Sequence, residues 1–273
     1  MTDSFEPLPA RPASTVMLIR DTPQESISVF LMRRHAGMQF VAGTTVFPGG
    51  GVDDRDRDAT IAWYGPDPTW WADKIGVDDD LAAALVCAAA RETFEESGVL
   101  FAGAADDPDL LVDDASVYRE QRAALENKSL SFAEFLRTEN LMLRADLLRP
   151  WANWVTPIEE RTRRYDTYFF VGALPQGQKA DGDNTETDRA YWATPESALD
   201  DFAEGRTFLL PPTWTQLDSL AGRTVAEVLA VDRQIVAVSP HLTVSEGNWE
   251  IEFFDSGRYN EARNRRSPDG YRA

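Results

Sequence analysis

The stretch Arg91-Glu92-Thr93-Phe94-Glu95-Glu96-Ser97-Gly98-Val99 closes an apolar, alanine-rich segment of the chain. Apolar residues recur at helical spacing before it, acidic residues stand at the start of the segment and a glycine stands at its end. This pattern predicts one continuous helix from Leu81 to Ser97. On that helix Glu92, Glu95 and Glu96 share one face within a single turn.

Three carboxylates on one helix face would repel one another and raise each other's pKa. A hard divalent cation, which prefers oxygen ligands, would remove that repulsion. Arg91, four residues before Glu95, can hold one carboxylate in a single rotamer. The plain alternative is a solvated acidic face, because runs of charge usually only cover a surface.

The same nine residues resemble the second half of the Nudix box, Gly-x5-Glu-x7-Arg-Glu-U-x-Glu-Glu-x-Gly-U, in which U is apolar; Thr93 departs from it. Residues 47–53, Phe-Pro-Gly-Gly-Gly-Val-Asp, resemble the start of the box. Residues 51–90 lie between Gly50 and Arg91, which is a longer interval than the box allows. An insertion therefore splits the box, and its middle Glu is not assignable. Counting forward from Gly50 reaches Asp56, whereas counting back from Arg91 reaches Ala83.

A split box of this kind resembles the branch of the Nudix superfamily that includes peroxisomal coenzyme A diphosphatases. The segments Trp-Ala-Asn-Trp-Val-Thr-Pro at 151–157 and Arg-Tyr-Asp-Thr at 164–167 also resemble that branch. The resemblance implies an α/β fold, a Nudix α/β/α sandwich with a mixed sheet, an insertion within the box and extra helices. The expected organisation is a loose arm at 1–13, a Nudix domain at 14–233 with insertions at 54–80 and 103–145, and a C-terminal extension at 234–273.

The resemblance also implies a site that holds Mg²⁺ or Mn²⁺. The implied catalytic residues are Arg91, Glu92, Glu95 and Glu96, and the implied metal ligands are the three glutamates, Gly50 through its carbonyl, and Glu186. Members of the family differ in which Glu is the base, so the base is not assigned. The alternative for Glu186 is that its side chain is an acidic group in a solvated loop with no metal to bind.

Substrate-binding candidates come from a partial resemblance to the coenzyme A signature of some Nudix diphosphatases. Arg33, Arg34 and Phe47 are the candidates, and the two arginines would read phosphates or only solvate a strand end. The insertion at 54–80 carries Trp70 and Trp71, which either pack that insertion onto the domain or cover a long substrate arm.

Composition sets outer limits on the function. The formal charge of −19 argues against nucleic acid and anionic membranes as partners, but a nucleotide-type small molecule remains compatible with it. No apolar run reaches membrane-spanning length, no export signal or Ser-Lys-Leu ending stands at the termini, and the single Cys87 excludes an internal disulfide. We therefore expect a cytoplasmic protein. The sequence leaves open whether it forms a homodimer.

Two hypotheses about function follow. The first is a metal-dependent hydrolase of the phosphoanhydride in a nucleoside diphosphate linked to another moiety, with coenzyme A or acyl-coenzyme A as the leading substrate. ADP-ribose, NADH and dinucleoside polyphosphates are the other substrates of this class. The second is a Nudix-fold binding or regulatory protein without turnover, which the unassigned middle Glu leaves open.

Outside the box, local patterns predict further elements. A β-hairpin is expected from residues 13–20 and 27–33, a strand at Val99-Leu100-Phe101, and helices near 114–126 and 131–139. The polar tail from Ser256 onward is expected to be loosely held or docked on a partner chain.

Overall fold

The computed structural model describes residues 7–23, 26–35, 43–58, 60–184, 187–245 and 248–265. Its strands are β1 (Arg11–Asp21), β2 (Ile27–Arg34), β3 (Thr45–Val46), β4 (Gly49–Gly51), β5 (Trp63–Tyr64), β6 (Ala102–Ala104), β7 (Leu141–Arg144), β8 (Leu148–Val155), β9 (Tyr165–Ala173), β10 (Thr187–Ala193), β11 (Ala237–Val238), β12 (His241–Ser245) and β13 (Asn248–Glu252). Its α-helices are α1 (Pro68–Ile75), α2 (Asp79–Ser97), α3 (Arg119–Glu126), α4 (Phe132–Thr138), α5 (Pro195–Ala203), α6 (Pro211–Leu220), α7 (Val225–Leu229) and α8 (Ser256–Asn264), and 3₁₀ helices cover Asp54–Arg57, Ala115–Tyr118 and Ala145–Leu147.

A mixed sheet forms the centre of the fold. Its strands lie in the order β10-β2-β1-β9-β8-β11, with β3 beside β2 and β4 beside β1. β1 runs parallel to β9 and β11 parallel to β8, whereas the other neighbours are antiparallel. The predicted hairpin is present as β1 and β2, and Ile19 pairs with Val29. The predicted mixed sheet is confirmed.

Helices cover both faces of this sheet because the side chains of each strand alternate between them. In β1, Val16 and Leu18 belong to the core that α2 covers, whereas Met17 and Ile19 belong to the core that α5 and α6 cover. All four residues are fully buried. The arrangement is the predicted α/β/α sandwich, with α1 to α4 on one face and α5 to α8 on the other.

The two insertions meet in one small sheet, which the sequence did not predict. β5, from the insertion at 54–80, lies parallel to β7, and β7 lies antiparallel to β6. The helices expected near 114–126 and 131–139 are present as α3 and α4, and Ser131 caps α4 by accepting a hydrogen bond from the Glu134 amide. The segments predicted as separate additions therefore support each other.

The tryptophans of the first insertion pack into the core. Trp71 is fully buried, its ring centroid lies 5.7 Å from that of Phe170, and Trp70 packs edge-on against it at 5.0 Å. α1 therefore contacts the sheet on the face that α2 covers. The alternative in which Trp71 covers a substrate arm is wrong, because its side chain has no exposed surface.

Three local predictions require correction. Val99–Phe101 is buried but is not a strand, because the amide and carbonyl of Leu100 bond to the side chain of Gln178, and β6 begins only at Ala102. The expected loose arm overlaps the sheet, since β1 begins at Arg11. The prediction of a loosely held polar tail is wrong as far as residue 265. Tyr259 in α8 is fully buried, and its hydroxyl donates to the Leu209 carbonyl at 3.0 Å.

The C-terminal extension also contributes to the sheet, through β11. Across the described ranges, none of the helices has both the length and the apolar composition that a membrane span requires.

Candidate active site

α2 carries the acidic cluster at its carboxyl-terminal end. The side chain of Asp78 caps the other end by accepting a hydrogen bond from the Leu81 amide at 2.8 Å, and α2 then runs without interruption to Ser97. Gly98 ends it in the left-handed conformation, with φ of 71°. The predicted continuous helix is confirmed, and Glu92, Glu95 and Glu96 lie on its last two turns.

The last turn of α2 is held by partners from several parts of the chain. The carbonyl groups that end an α-helix have no partner within it. Here the carbonyls of Glu95 and Glu96 accept hydrogen bonds from the side chains of Arg122, at 3.0 Å, and Asn184, at 2.8 Å. The Ser97 carbonyl accepts from the Asp181 amide. Residues distant in sequence therefore fix the helix end that bears the carboxylates.

The glycine turn of the box lies directly against these carboxylates. The Gly49 amide donates to Glu96 Oε2 at 2.7 Å. A Cβ placed on Gly50 would lie 2.5 Å from Glu92 Oε1, so only glycine fits this close approach. β4 pairs with β1, which attaches the turn to the central sheet. The two halves of the split box thus meet in space.

Arg91 is the centre of the acidic cluster. Its Nη1 donates to Glu92 Oε1 at 2.8 Å and to Glu95 Oε1 at 3.1 Å, and its Nη2 donates to the Gly51 carbonyl at 3.1 Å. The guanidinium is 10% exposed, so these contacts are poorly screened by solvent. Arg91 fixes two of the three predicted carboxylates in place.

Asp56 supplies the acid that the sequence left unassigned. Its two carboxylate oxygens accept hydrogen bonds from Nε and Nη2 of Arg91 at 2.8 and 2.9 Å, and its side chain is 1% exposed. The forward count from Gly50 is therefore correct and the backward count to Ala83 is wrong. The chain departs from the box after Asp56 and rejoins it within α2.

Burial governs the protonation of this cluster. It raises the pKa of Glu92 to about 7, with a further rise caused by Glu95 and an opposing effect from Arg91. Burial also raises the pKa of Glu95, again opposed by Arg91. For Arg91, burial acts against the charged form, but the bonds to Asp56 and the nearby glutamates outweigh it and raise the pKa. The site therefore holds more negative charge than one arginine compensates.

Comparison with known proteins shows the family of this chain. Residues 65–220, more than half of the chain, match the family model described as the NUDT19 Nudix domain. The chain belongs to the Nudix family. It is 26% identical to acyl-coenzyme A diphosphatase NUDT19 of Xenopus laevis over 70% of this chain and 59% of the relative. The human protein with that description is also 26% identical, over 78% of this chain and 65% of the relative. The chain thus spans about three fifths of the length of these curated relatives.

A solved structure shows the same Nudix fold. The crystal structure of a Nudix hydrolase from Alicyclobacillus acidocaldarius aligns with a TM-score of 0.67 and 25% sequence identity. The alignment covers 83% of this chain and 98% of the other. Most of this chain therefore has a counterpart in a solved Nudix structure.

The predicted substrate-binding residues of this Nudix chain separate into three environments. Phe47 is 3% exposed and its ring packs edge-on against Phe169 in the core, and its assignment as a substrate contact stays a prediction. Arg33 is exposed and its Nε donates to Asp188 at 2.8 Å. Arg34 is half-buried and shares the sheet face of Met32, which is the face that α2 covers.

One of the predicted metal ligands cannot be compared with the structure. Glu186 lies outside the described residues, although Asn184, two positions earlier, bonds to the Glu96 carbonyl. Within the described ranges, no three acidic, histidine or cysteine side chains form a ready-made metal cluster. The contacts explain this, because Arg91 lies between Glu92 and Glu95.

A groove opens beside the Nudix box. It encloses about 390 Å³ between the 3₁₀ helix at Asp54–Arg57 and the segment that joins α3 to α4, and its lining includes Arg57, Ser129 and Glu134. Arg55 and Ser131 line both this groove and a cavity of about 10 Å³ that reaches Arg91 and Glu95. The segment between α3 and α4 therefore stands next to Glu95.

Several residues of the site carry no sequence signal. Arg122 and Asn184 hold the helix end from distant segments, and their roles appear only in three dimensions. Asp56 did have a signal, since it stands six positions after Gly50, as the box requires.

Proposed function

We propose that this protein is a metal-dependent Nudix hydrolase that cleaves the phosphoanhydride of a nucleoside diphosphate linked to another moiety. The observation that carries the proposal is the reassembled box, in which Glu92, Glu95 and Glu96 lie against the glycine turn around a buried Arg91. Coenzyme A or an acyl-coenzyme A is the leading substrate, supported by two relatives described as acyl-coenzyme A diphosphatases.

The donor chemistry fits Mg²⁺ or Mn²⁺. Nudix enzymes generally use divalent metal ions, and hard cations of this kind prefer carboxylate and carbonyl oxygens. Glu92, Glu95 and Glu96 offer such oxygens, and the Gly50 carbonyl is a further candidate next to them. Burial raises the pKa values of Glu92 and Glu95, and a cation bound beside them would favour their charged forms.

The chain's own residues prepare the site for that chemistry. Arg91 orients Glu92 and Glu95, while the Gly49 amide orients Glu96. When bound there, a divalent cation supplies a Lewis acid that neutralises charge on the diphosphate and makes water a stronger nucleophile at neutral pH. The absence of a side chain on Gly50 leaves room for the Glu92 carboxylate to lie directly against the turn.

The groove between the 3₁₀ helix at Asp54–Arg57 and α4 is a candidate binding site for the second arm of the substrate. The lining carries arginines, acids and hydroxyl groups, which suits a polar but uncharged arm such as the amide-bearing pantetheine of coenzyme A. Trp71 no longer supports a long arm, because it is buried in the core.

The groove supports coenzyme A over a compact triphosphate, which has no second arm to place there. The alternative of a non-catalytic Nudix-fold protein rested on the unassigned middle Glu. Asp56 occupies that position and binds Arg91, which removes the main reason for the alternative.

A substrate screen tests this proposal. Coenzyme A, acetyl-coenzyme A, NADH, ADP-ribose, a dinucleoside polyphosphate and a nucleoside triphosphate are incubated with the protein and Mg²⁺ or Mn²⁺, and products are identified by mass. We expect coenzyme A to give 3′,5′-ADP and 4′-phosphopantetheine. If the triphosphate has the highest kcat/KM, the proposed substrate class is wrong. If no compound is hydrolysed under any condition, the proposal that the protein is an enzyme is wrong.

A further inference from the structure

Arg55 joins the helical insertion at 103–145 to the segment Asp53–Asp56 of the Nudix box. Its Nη1 donates to the carbonyls of Lys128 and Leu130, at 3.1 and 3.4 Å, in the turn between α3 and α4. Its Nε and Nη2 donate to the two carboxylate oxygens of Asp53, at 3.0 and 3.1 Å. One side chain therefore contacts two segments that lie more than seventy residues apart in sequence.

The contact continues from Asp53 to the carboxylates. The Asp53 amide donates to Asp56 Oδ2 at 2.8 Å, and the same oxygen accepts a hydrogen bond from Arg91 Nη2. Arg91 in turn contacts Glu92 and Glu95. An unbroken series of hydrogen bonds thus runs from the α3–α4 turn through Arg55 to the acidic face of α2.

The geometry of the turn makes this contact specific. Lys128 adopts a left-handed conformation with φ of 63°, and its carbonyl is one of the two that Arg55 binds. Only a planar guanidinium can contact a carboxylate with two parallel bonds and still donate to a third partner. Lysine at this position would keep the charge but not the two-sided contact.

We propose that Arg55 is a positioning residue, which holds the Asp53–Asp56 loop against the α3–α4 turn and thereby keeps Asp56 and Arg91 in the arrangement that orients Glu92 and Glu95. The proposal rests on the metal-dependent hydrolysis proposed above. The helical insertion then affects catalysis, because a displacement of the α3–α4 turn would move Arg55 and, through Asp53, Asp56 and Arg91, the carboxylates.

The test compares R55Q and R55K with R119Q. Arg119 is a suitable control, because it is exposed on α3 and its side chain makes no hydrogen bond or ion pair with the described residues. Each purified variant is measured for kcat and KM with the best substrate of the screen, for Mn²⁺ affinity by titration calorimetry, and for hydrogen exchange of the amides at 53–57 and 128–131.

For R55Q we expect kcat to fall roughly tenfold, Mn²⁺ to bind several-fold more weakly, and both amide segments to exchange faster, because a small displacement of orienting groups is enough to slow catalysis. R55K should lie between R55Q and the wild type, and R119Q should match the wild type. A two-state thermal transition in R55Q confirms that the variant is folded.

Several outcomes would overturn the proposal. R55Q with the kcat and Mn²⁺ affinity of R119Q would show that the contact does not position the site. A loss seen with coenzyme A but not with an ADP ester that has a short arm would make Arg55 a substrate contact instead. If the wild type hydrolyses nothing, the proposed function fails, and unchanged exchange at 53–57 in R55Q would then separately reject the positioning role.

Discussion

Asp56 and Arg91 lie 35 residues apart in the sequence and are joined by two hydrogen bonds of 2.8 and 2.9 Å. Both side chains are removed from solvent, with exposed fractions of 1% and 10%. The pair closes the loop that the first insertion forms, so only the part of the expected insertion after Asp56 departs from the box, although residues 54–80 interrupt it in sequence. The same pair holds Arg91 in position for Glu92 and Glu95.

Replacement of Asp56 by asparagine should lower both the stability of the protein and its rate of substrate hydrolysis. The variant leaves Arg91 buried without its bidentate partner, and loss of one member of a buried ion pair costs about 3–5 kcal/mol. We expect a loss at the lower end of that range, because Glu92 and Glu95 still contact Arg91, together with a fall in kcat/KM of at least roughly tenfold. Urea unfolding and steady-state kinetics measure the two effects.

D54N is the control for this substitution. Asp54 is exposed and belongs to the same 3₁₀ helix, so its loss removes an equal charge without touching Arg91. If D54N destabilises the protein as much as D56N, the effect is one of general charge and not of the buried pair.

Substitution of Glu95 or Glu96 by glutamine should abolish most of the turnover and leave the fold intact. Each change removes a charge from the proposed metal site while keeping the volume of the side chain. The loss should reach at least roughly two to three orders of magnitude in kcat, since the stabilisation that a bound metal gives is worth several kcal/mol. Circular dichroism checks the fold, and E120Q, an exposed glutamate on α3, is the control. Full activity in both variants would exclude the metal role.

Metal binding should depend on pH through Glu92. In the metal-free protein its folded pKa of about 7 lies above the ordinary value of 4.5, so its contribution to stability is present below about pH 4.5 and is lost as pH rises through about 7. A divalent cation binds the deprotonated form and displaces that proton. The apparent affinity should therefore rise with pH below about 7, by up to about tenfold per unit for one proton released.

Thermal unfolding with and without Mg²⁺ across about pH 6 to pH 8 checks this behaviour. We expect the rise in Tm that Mg²⁺ causes to increase with pH in the wild type. In E92Q that dependence should be weaker, because the titrating group has been removed. An Mg²⁺ effect on Tm that is the same at both ends of the range would contradict the prediction.

The parts of the fold that the sequence predicted are those governed by local patterns. The continuous helix over Leu81 to Ser97 follows from unbroken apolar spacing with no internal Gly or Pro. The strand expected at Val99–Phe101 failed because the Gln178 side chain satisfies the backbone of Leu100 from a distant loop. The motif around Phe47 likewise did not reveal that its ring packs against Phe169 in the core.

The organisation of the insertions could not be predicted for a similar reason. The pairing of β5 with β7 joins segments about eighty residues apart, and neither two-residue β5 nor its partner shows a strong strand pattern alone. The contacts of Arg55, Arg122 and Asn184 likewise depend on tertiary structure. Spacing did identify Asp56, but only as one of two candidates.

Truncation of Trp71 to alanine should affect stability and not catalysis. Its ring is fully buried against Phe170, and removal of such a side chain typically costs about 3–5 kcal/mol. kcat and KM for coenzyme A at a temperature where the variant is folded should match those of the wild type. The half-buried Trp70 is the matched control, and W70A should lose less stability. A selective rise in KM in W71A would return this residue to the substrate site.

The groove beside the box should determine how well the enzyme handles a long substrate arm. Glu134 lies on the first turn of α4 and lines the groove, so tryptophan at this position would fill it while leaving the helix cap at Ser131 in place. For E134W we expect kcat/KM with coenzyme A to fall roughly tenfold, with part of the loss in kcat, because binding energy from a remote arm also serves to orient the reacting group.

An ADP ester with a short arm provides the internal comparison, since it does not reach the groove. Its kinetics should be the same in E134W and in the wild type. E134A separates the loss of the charge from the filling of the groove, and it should resemble the wild type with both substrates. If E134W and E134A behave alike with coenzyme A, the arm lies elsewhere on the protein, and the groove is only the space left between the two insertions.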